Sequence, residues 1–200
     1  NVYAVMWRET RDKDGNVKYD HVLYVFDENY NIKLVPVLDF LDGEKYTFLP
    51  IAVSKNQNLI MCKKNEVYVT DNMGKLISQF ETGRDLLNSR SCDISNNNDI
   101  MIARYFGSTV KVYTTEGDLK STIKVPEGHE ISKVAFHHGI GKIIVVTKVR
   151  EPPSLFLLGY SETGELENSV LLASDNLFSE VKSHLNGTVA IKVSSNITLI

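Results

Sequence analysis

The chain has 200 residues and a formal net charge of −3, with 22 lysine and arginine residues against 25 aspartate and glutamate residues. This balance excludes a strongly basic nucleic-acid-binding chain, and no run of about 18 apolar residues is present to form a transmembrane helix. The first residues, NVYAVMWRET, lack the basic start and the long apolar stretch of a secretory signal. We therefore expect a cytoplasmic globular domain with no membrane partner.

The first predicted unit covers residues 1–42 and has three strands, Val2–Trp7, His21–Phe26 and Asn31–Leu38. They are rich in the β-branched and aromatic residues that favour strands. The polar stretch RETRDKDGNVKYD separates the first two, and its Asp-Gly-Asn centre favours a projecting hairpin or a mobile loop. No inner strand precedes Val2, so this unit is incomplete.

The second unit, residues 43–91, contains the clearest pattern, IAVSKNQNLIMCKKNEVYVTDNMGKLISQF. Polar turns divide it into four predicted strands, Ile51–Val53, Leu59–Cys62, Val67–Thr70 and Lys75–Phe80. The turn before the fourth strand has the sequence DNMG, whose residue types accept tight or left-handed turn geometry. The rest of the chain repeats this unit.

Three further units follow at similar spacing. In residues 92–132 the predicted strands are Cys92–Ser95, Ile100–Arg104, Val110–Tyr113 and Leu119–Val125. In residues 133–179 they are Lys133–Phe136, Lys142–Thr147, Ser154–Tyr160 and Leu166–Leu172. Residues 180–200 form an incomplete fifth unit, with strands starting near Val181 and at Thr188–Val193 and Ile197–Ile200.

The turn DNMGKL ends at Leu76 and recurs as TTEGDL at Leu119 and as SETGEL at Leu166, separations of 43 and 47 residues. A weaker copy, DENYNI, ends at Ile32. Four short strands per unit of about 40–50 residues are typical of a β-propeller blade. The sequence therefore predicts an all-β chain of four-stranded antiparallel blades, about four to five of them. With both end units incomplete, we expect an arc of a larger ring of about six blades, and a small closed ring is the alternative.

Two long phrases resemble NHL repeats, AVSKNQNLIMCKKNEVYVTDNMGKLISQF and ISNNNDIMIARYFGSTVKVYTTEGDLKSTI, and VAFHHGIGKIIVV resembles a divergent copy. The only tryptophan is Trp7 and it does not precede an aspartate, which argues against WD40 repeats. NHL propellers form the C-terminal recognition domain of tripartite-motif (TRIM) ubiquitin ligases. The resemblance thus implies a recognition module, with any ligase activity in domains that this sequence does not contain.

In a propeller, the loops between second and third strands share one face with the connections between blades. Cations and two aromatic residues are concentrated there: Lys63, Lys64, Arg84, Arg90, Arg104, Tyr105, Phe106, Lys148 and Arg150. Such a face could dock an acidic protein segment, or it could hold the phosphates and stack the bases of single-stranded RNA. Loop charges that are simply solvated are a third interpretation. A protein partner is our first hypothesis and single-stranded RNA is the second.

The sequence offers little for catalysis. It has no HExxH and no GxSxG motif. The adjacent His137 and His138 would point to opposite sides of a strand, and Cys62 and Cys92 are interpreted as buried free thiols, with a disulfide or metal pair as the alternative. The predicted inner strands are apolar apart from Asp93. We therefore predict no catalytic residue, no metal, no cofactor and no enzymatic activity, with a metal-dependent hydrolase or lyase as the remaining alternative.

Overall fold

The structure is a computed structural model that describes residues 1–34, 36–41, 51–83, 86, 89–173, 179–184, 186–193 and 196–199. These residues form five antiparallel sheets. Sheet 1 contains β1 (Val2–Arg11), β2 (Val17–Phe26) and β3 (Ile32–Leu34); sheet 2 contains β4 (Ile51–Val53), β5 (Leu59–Lys63), β6 (Glu66–Thr70) and β7 (Leu76–Glu81). Sheet 3 contains β8 (Ser89–Ile94), β9 (Ile100–Arg104), β10 (Thr109–Tyr113) and β11 (Leu119–Lys124). Sheet 4 contains β12 (His129–His137), β13 (Lys142–Val149), β14 (Ser154–Tyr160) and β15 (Leu166–Ala173); sheet 5 contains β16 (Ser179–Ser183), β17 (Val189–Val193) and β18 (Asn196–Leu199).

Within each sheet the strands follow one another in chain order, and the first strands of successive sheets lie side by side. In this series β4 contacts β8, β8 contacts β12, and β12 contacts β16. This is the blade arrangement of a β-propeller, and it confirms the predicted fold class. Among the described residues there is no helix long and apolar enough to span a membrane.

Burial explains why the middle strands are so uniformly apolar. Every residue of β5 is buried, and so are the first four of β9, because each blade packs against a neighbour on both sides. The outermost strands differ: β7 and β11 are largely exposed, and their sequences contain charged and hydroxyl residues between the apolar ones. A continuous apolar run therefore identifies a middle strand of a blade, and a run that mixes apolar with polar residues identifies the outermost strand.

Apolar layers fill the spaces between neighbouring sheets. Met101 of sheet 3 and Phe136 and Tyr160 of sheet 4 belong to one layer. Cys62 of sheet 2 and Cys92 of sheet 3 belong to another, where both are free and buried, as predicted. The Cys92 thiol donates a hydrogen bond to the neighbouring Cys62, and this bond together with burial raises the pKa of the Cys92 thiol well above its usual value.

The stretch RETRDKDGNVKYD is a hairpin, so the mobile-loop interpretation is wrong. Strands β1 and β2 continue in register from Val2 opposite Phe26 to Arg11 opposite Val17. The turn is closed by Asp12, whose carboxylate accepts hydrogen bonds from the backbone N–H groups of Asp14 at 2.9 Å and Asn16 at 2.8 Å. Local polar turn chemistry thus extends both strands well beyond their apolar portions.

Three further predicted strand boundaries differ from the structure by about three or four residues. Strands β8 and β12 begin earlier than Cys92 and Lys133, and each contains a register shift close to its start. Conversely, β3 ends at Leu34, short of the predicted Leu38. Proline lacks the N–H group that a strand ladder needs, and Pro36 is the second residue beyond the end of this strand.

The free edge of the inner strand β12 is satisfied by side chains of β8. The Ser91 hydroxyl accepts a hydrogen bond from the backbone N–H of Val134 at 2.9 Å and donates one to its carbonyl at 3.2 Å. The Asp93 carboxylate accepts from the N–H of Phe136 at 2.8 Å and from the hydroxyl of Ser183 in β16. Asp93, the polar exception on the predicted inner strands, therefore joins three successive sheets.

Candidate partner-binding face

The loop between β9 and β10 is fixed to the neighbouring sheet. The backbone N–H of Phe106 donates to the carbonyl of Ile131 at 2.8 Å, and the N–H of Ile131 donates to the carbonyl of Gly107 at 2.8 Å. Phe106 has a φ of 61°, a left-handed conformation that is uncommon for a residue with a bulky side chain. Such strain persists only where the surroundings over-determine it, so this loop is held in one conformation.

That conformation builds a compact group of aromatic and cationic side chains. The rings of Tyr105 and Phe106 lie 4.0 Å apart between centroids, at an interplanar angle of 43°. The Lys148 ammonium lies 5.9 Å from the Tyr105 ring, and the Arg150 guanidinium lies 5.9 Å from the Phe106 ring, both within cation–π range. Phe106 is nevertheless 53% exposed. We call these four residues the aromatic platform.

An open groove of about 580 Å³ runs beside the platform. Its lining residues are Arg104, Tyr105, Phe106, Gly107, Ser108, Thr109, His129 and Glu130. Glu130 accepts two hydrogen bonds from Arg150, from Nε at 3.1 Å and from a terminal nitrogen at 2.8 Å, and this bidentate pair fixes the guanidinium. His129 is held through Nδ1 by the Thr147 hydroxyl at 2.8 Å. The groove therefore has a rigid floor and a mixed charge.

The structure brings five of the nine predicted residues together at this place: Arg104, Tyr105, Phe106, Lys148 and Arg150. Lys64 is exposed in the corresponding turn of sheet 2, also with a positive φ, of 55°. Arg84 lies outside the described residues, as does the side chain of Arg90, whose backbone belongs to β8.

Lys63 requires a correction, because its predicted place on an exposed loop is wrong. It is the last residue of β5, paired with Glu66 across the turn, and only 6% of its surface is exposed. The apolar pattern of the strand ends at Cys62, and no residue beyond it indicates that pairing extends one position further. Sequence reasoning also missed His129 and Glu130, which lie on β12 of sheet 4 and reach the groove only because the sheets pack side by side.

Three histidines are expected to make the free energy of unfolding depend on pH. Burial lowers the pKa of His21, His129 and His138 below the usual value of 6.5. The unfolded chain then binds more protons than the folded chain just below pH 6.5, so we expect the free energy of unfolding to decrease as the pH falls through that value. Urea unfolding over a pH series measures this, and a His129→Gln variant should show a shallower decrease. A free energy of unfolding that rises on acidification would contradict the assignment.

No family model matches the chain, and no curated protein matches it. Solved structures do match. A streptogramin B lyase has a TM-score of 0.58 at 12% identity, with 99% of this chain and 72% of that chain covered. Virginiamycin B lyase from Staphylococcus aureus has a TM-score of 0.59 at 11% identity, with 94% and 63% covered. A catalytically inactive H270A form of that lyase with quinupristin has a TM-score of 0.57 at 12% identity and the same coverage.

These comparisons support the propeller fold, and they correct one prediction. The prediction that this domain is not an enzyme is contradicted, because the solved structures of its fold include lyases. At 11–12% identity the likeness shows the fold alone, and it does not single out NHL repeats, which stay a prediction from the sequence.

Proposed function

We propose that this propeller binds a partner protein, and that the aromatic platform with its groove receives an extended segment carrying acidic and apolar side chains. The observation that carries the proposal is Phe106, a large apolar side chain that is 53% exposed yet held at a strained φ of 61°. Rigid aromatic residues flanked by arginine are typical of the centres of protein interfaces, since little conformational entropy is lost when they are covered.

The charges around the groove favour acidic side chains in the bound segment. The platform and groove carry three cations, Arg104, Lys148 and Arg150, against one carboxylate, Glu130, which is already paired with Arg150. Arg104 is exposed at the edge of the groove. A carboxylate of the incoming segment would meet this cation beside the apolar Phe106 ring, which fixes the register of binding as well as adding attraction.

The same geometry favours protein over single-stranded RNA. Base stacking requires an open aromatic face. Here Tyr105 contacts Phe106 and the Lys148 ammonium, and Phe106 contacts Tyr105 and the Arg150 guanidinium. Two rings engaged with each other and with cations present less stacking surface than two separate rings would. We therefore do not propose RNA binding as the function. The experiments include it as the alternative outcome.

Selection of a displayed random-peptide library on the intact protein tests the proposal. We expect peptides with acidic residues next to an apolar or aromatic one to be enriched. Phe106→Ala should weaken their binding by about 30-fold, the loss expected for a central aromatic contact worth about 2 kcal/mol.

Tyr30→Ala is the matched control, because Tyr30 is also an exposed aromatic residue at a φ of 61°, but in sheet 1. Its binding should equal that of the unmodified protein. Equal losses in the two variants, or peptides that bind Phe106→Ala as well as they bind the original, would reject the platform as the binding site. Use of this face as the substrate-recognition domain of a TRIM-type ligase stays a prediction from the NHL resemblance.

A further inference from the structure

The groove beside the aromatic platform contains a histidine whose ring is held in place by neighbouring side chains. His129 is the first residue of β12 and lines the groove. Its Nδ1 lies 2.8 Å from the Thr147 hydroxyl, and its ring packs against Phe156 with centroids 4.9 Å apart. Because Thr147 is fully buried, the hydrogen bond to its hydroxyl fixes the imidazole in one orientation.

The second ring nitrogen of His129, Nε2, is the one that a bound segment can reach. Among the described residues none forms a hydrogen bond to this atom, and it is not one of the buried side-chain nitrogens that lack a partner. A ring nitrogen that is neither bonded nor buried is accessible, and the ring lines the groove. When the ring is protonated both nitrogens are donors. Nδ1–H then donates to Thr147, and Nε2–H is available to a ligand.

Charged side chains surround His129 on its own segment and on the elements packed against it. They are Arg104 of β9, Glu127 and Glu130 on either side of His129, Lys148 of β13, and Arg150 and Glu151 in the turn that follows. Glu130 also lines the groove, and Arg150 already binds its carboxylate at 2.8 and 3.1 Å. Glu127 and Glu151 are exposed to solvent. The carboxylate that shares the groove with His129 is therefore paired, and a ligand would bring a second one.

The protonation state of His129 depends on what occupies the groove. Without a ligand, burial lowers the pKa of His129 below 6.5, so the ring is mostly neutral near neutral pH. A hydrogen bond from a charged N–H group to a carboxylate is stronger than one from a neutral N–H group, and it favours the charged form of the donor. A ligand carboxylate within hydrogen-bonding distance of Nε2 would therefore raise the pKa of His129 again.

We propose that His129 is a specificity-determining residue of this groove: its protonated Nε2–H donates to a carboxylate of the bound acidic segment, so binding takes up a proton and strengthens as the pH falls. This inference rests on the proposed function, because it requires the groove to receive such a segment.

The direction of the pH dependence follows from linkage. Well above pH 6.5 the His129 ring is neutral in both the free and the bound protein, so no proton is taken up on binding. As the pH falls, the bound protein is protonated first, because the ligand carboxylate holds the pKa of His129 above that of the free protein. Affinity therefore rises between these two pKa values and levels off below the lower one.

The probe is an acidic peptide selected from the displayed library at about pH 7.5, where His129 is neutral. It is synthesised with blocked ends and without histidine, so its carboxylates are its titrating groups and they stay largely ionised at about pH 5.5. We expect the intact protein to bind it about fivefold more tightly at the lower pH. Calorimetric titration in buffers of different ionisation enthalpy should show uptake of about 0.4 of a proton per bound peptide near the midpoint of the change.

The variant His129→Gln keeps a hydrogen-bonding side chain that cannot gain a proton. Its affinities at the two pH values should differ by less than about twofold, and it should take up no proton. His184→Gln is the matched control, because His184 is exposed in the turn between β16 and β17 and does not line the groove. This variant should keep both the gain in affinity and the proton uptake. Circular dichroism at each pH checks that every variant is folded.

The outcomes separate this inference from the proposed function. If no peptide is selected at the higher pH, the proposed function fails and the role of His129 fails with it. Equal affinity at both pH values, or a gain that His129→Gln retains, would reject the role of His129 and leave the platform as the binding site. A gain lost equally in His129→Gln and His184→Gln would also overturn the inference, since it would show only an effect of the net charge of the protein.

Discussion

Replacing Asp93 by alanine is expected to lower the free energy of unfolding by about 3 kcal/mol. The carboxylate is only 8% exposed and accepts three hydrogen bonds, from the backbone N–H groups of Ile94 and Phe136 and from the Ser183 hydroxyl. Alanine leaves these buried donors without an acceptor at the centre of three sheets. Urea denaturation at neutral pH measures the difference directly.

Asp93→Asn is the matched control. Its amide oxygen can replace Oδ2 as the acceptor for Phe136 and Ser183, although its NH₂ group cannot accept from the N–H of Ile94. The substitution also removes a charge whose burial raises the pKa of Asp93. We expect a change of less than about 1 kcal/mol for this variant. An Asp93→Ala protein as stable as Asp93→Asn would show that the inner strands do not depend on this carboxylate.

The second large effect is expected at Gly117, where alanine should cost about 3 kcal/mol. A Cβ atom there would lie 2.6 Å from both Cβ and Cγ of Phe80, a ring that packs against Tyr113 with centroids 5.5 Å apart. The backbone φ of 99° adds strain for any residue with a side chain. The turn of sheet 3 would therefore have to move away from sheet 2.

The variant Gly15→Ala separates steric overlap from backbone strain as causes of the loss. Gly15 also has a positive φ, of 83°, but no atom lies within 4 Å of a Cβ built on it. We expect this variant to lose only about 1 kcal/mol, the cost of backbone strain alone. Equal losses in the two variants, measured by urea unfolding, would refute the steric explanation for Gly117.

Local pattern predicted the sheets well because propeller strands are defined by short-range signals. The four strands of sheet 2 lie where the apolar runs and polar turns place them, and the repeated glycine position corresponds to a left-handed turn in Gly74, Gly117 and Gly164. Tyr30 occupies this position in sheet 1 with a φ of 61° and is 76% exposed. A side chain is tolerated there because it projects into solvent.

Contacts between sheets could not be predicted from local pattern. Ser91 and Asp93 bind backbone groups 43 residues away, and nothing in the sequence near them indicates an acceptor for the edge of β12. The aromatic platform shows the same limit. The sequence predicts the β9–β10 loop as part of a binding face, but the groove is completed by His129 and Glu130 from the next sheet.

The aromatic platform is proposed to receive a protein segment, and this claim can be tested against RNA binding. The most direct measurement is the affinity of the intact protein for a selected acidic peptide and for a randomised single-stranded RNA pool, at about 50 mM and about 200 mM salt. We predict that the peptide loses less than about tenfold in affinity over this range, that Arg104→Glu/Tyr105→Ala abolishes its binding, and that no RNA motif is enriched. Enrichment of an RNA motif, lost in that variant and weakened by orders of magnitude at the higher salt concentration, would contradict the claim and assign the face to RNA.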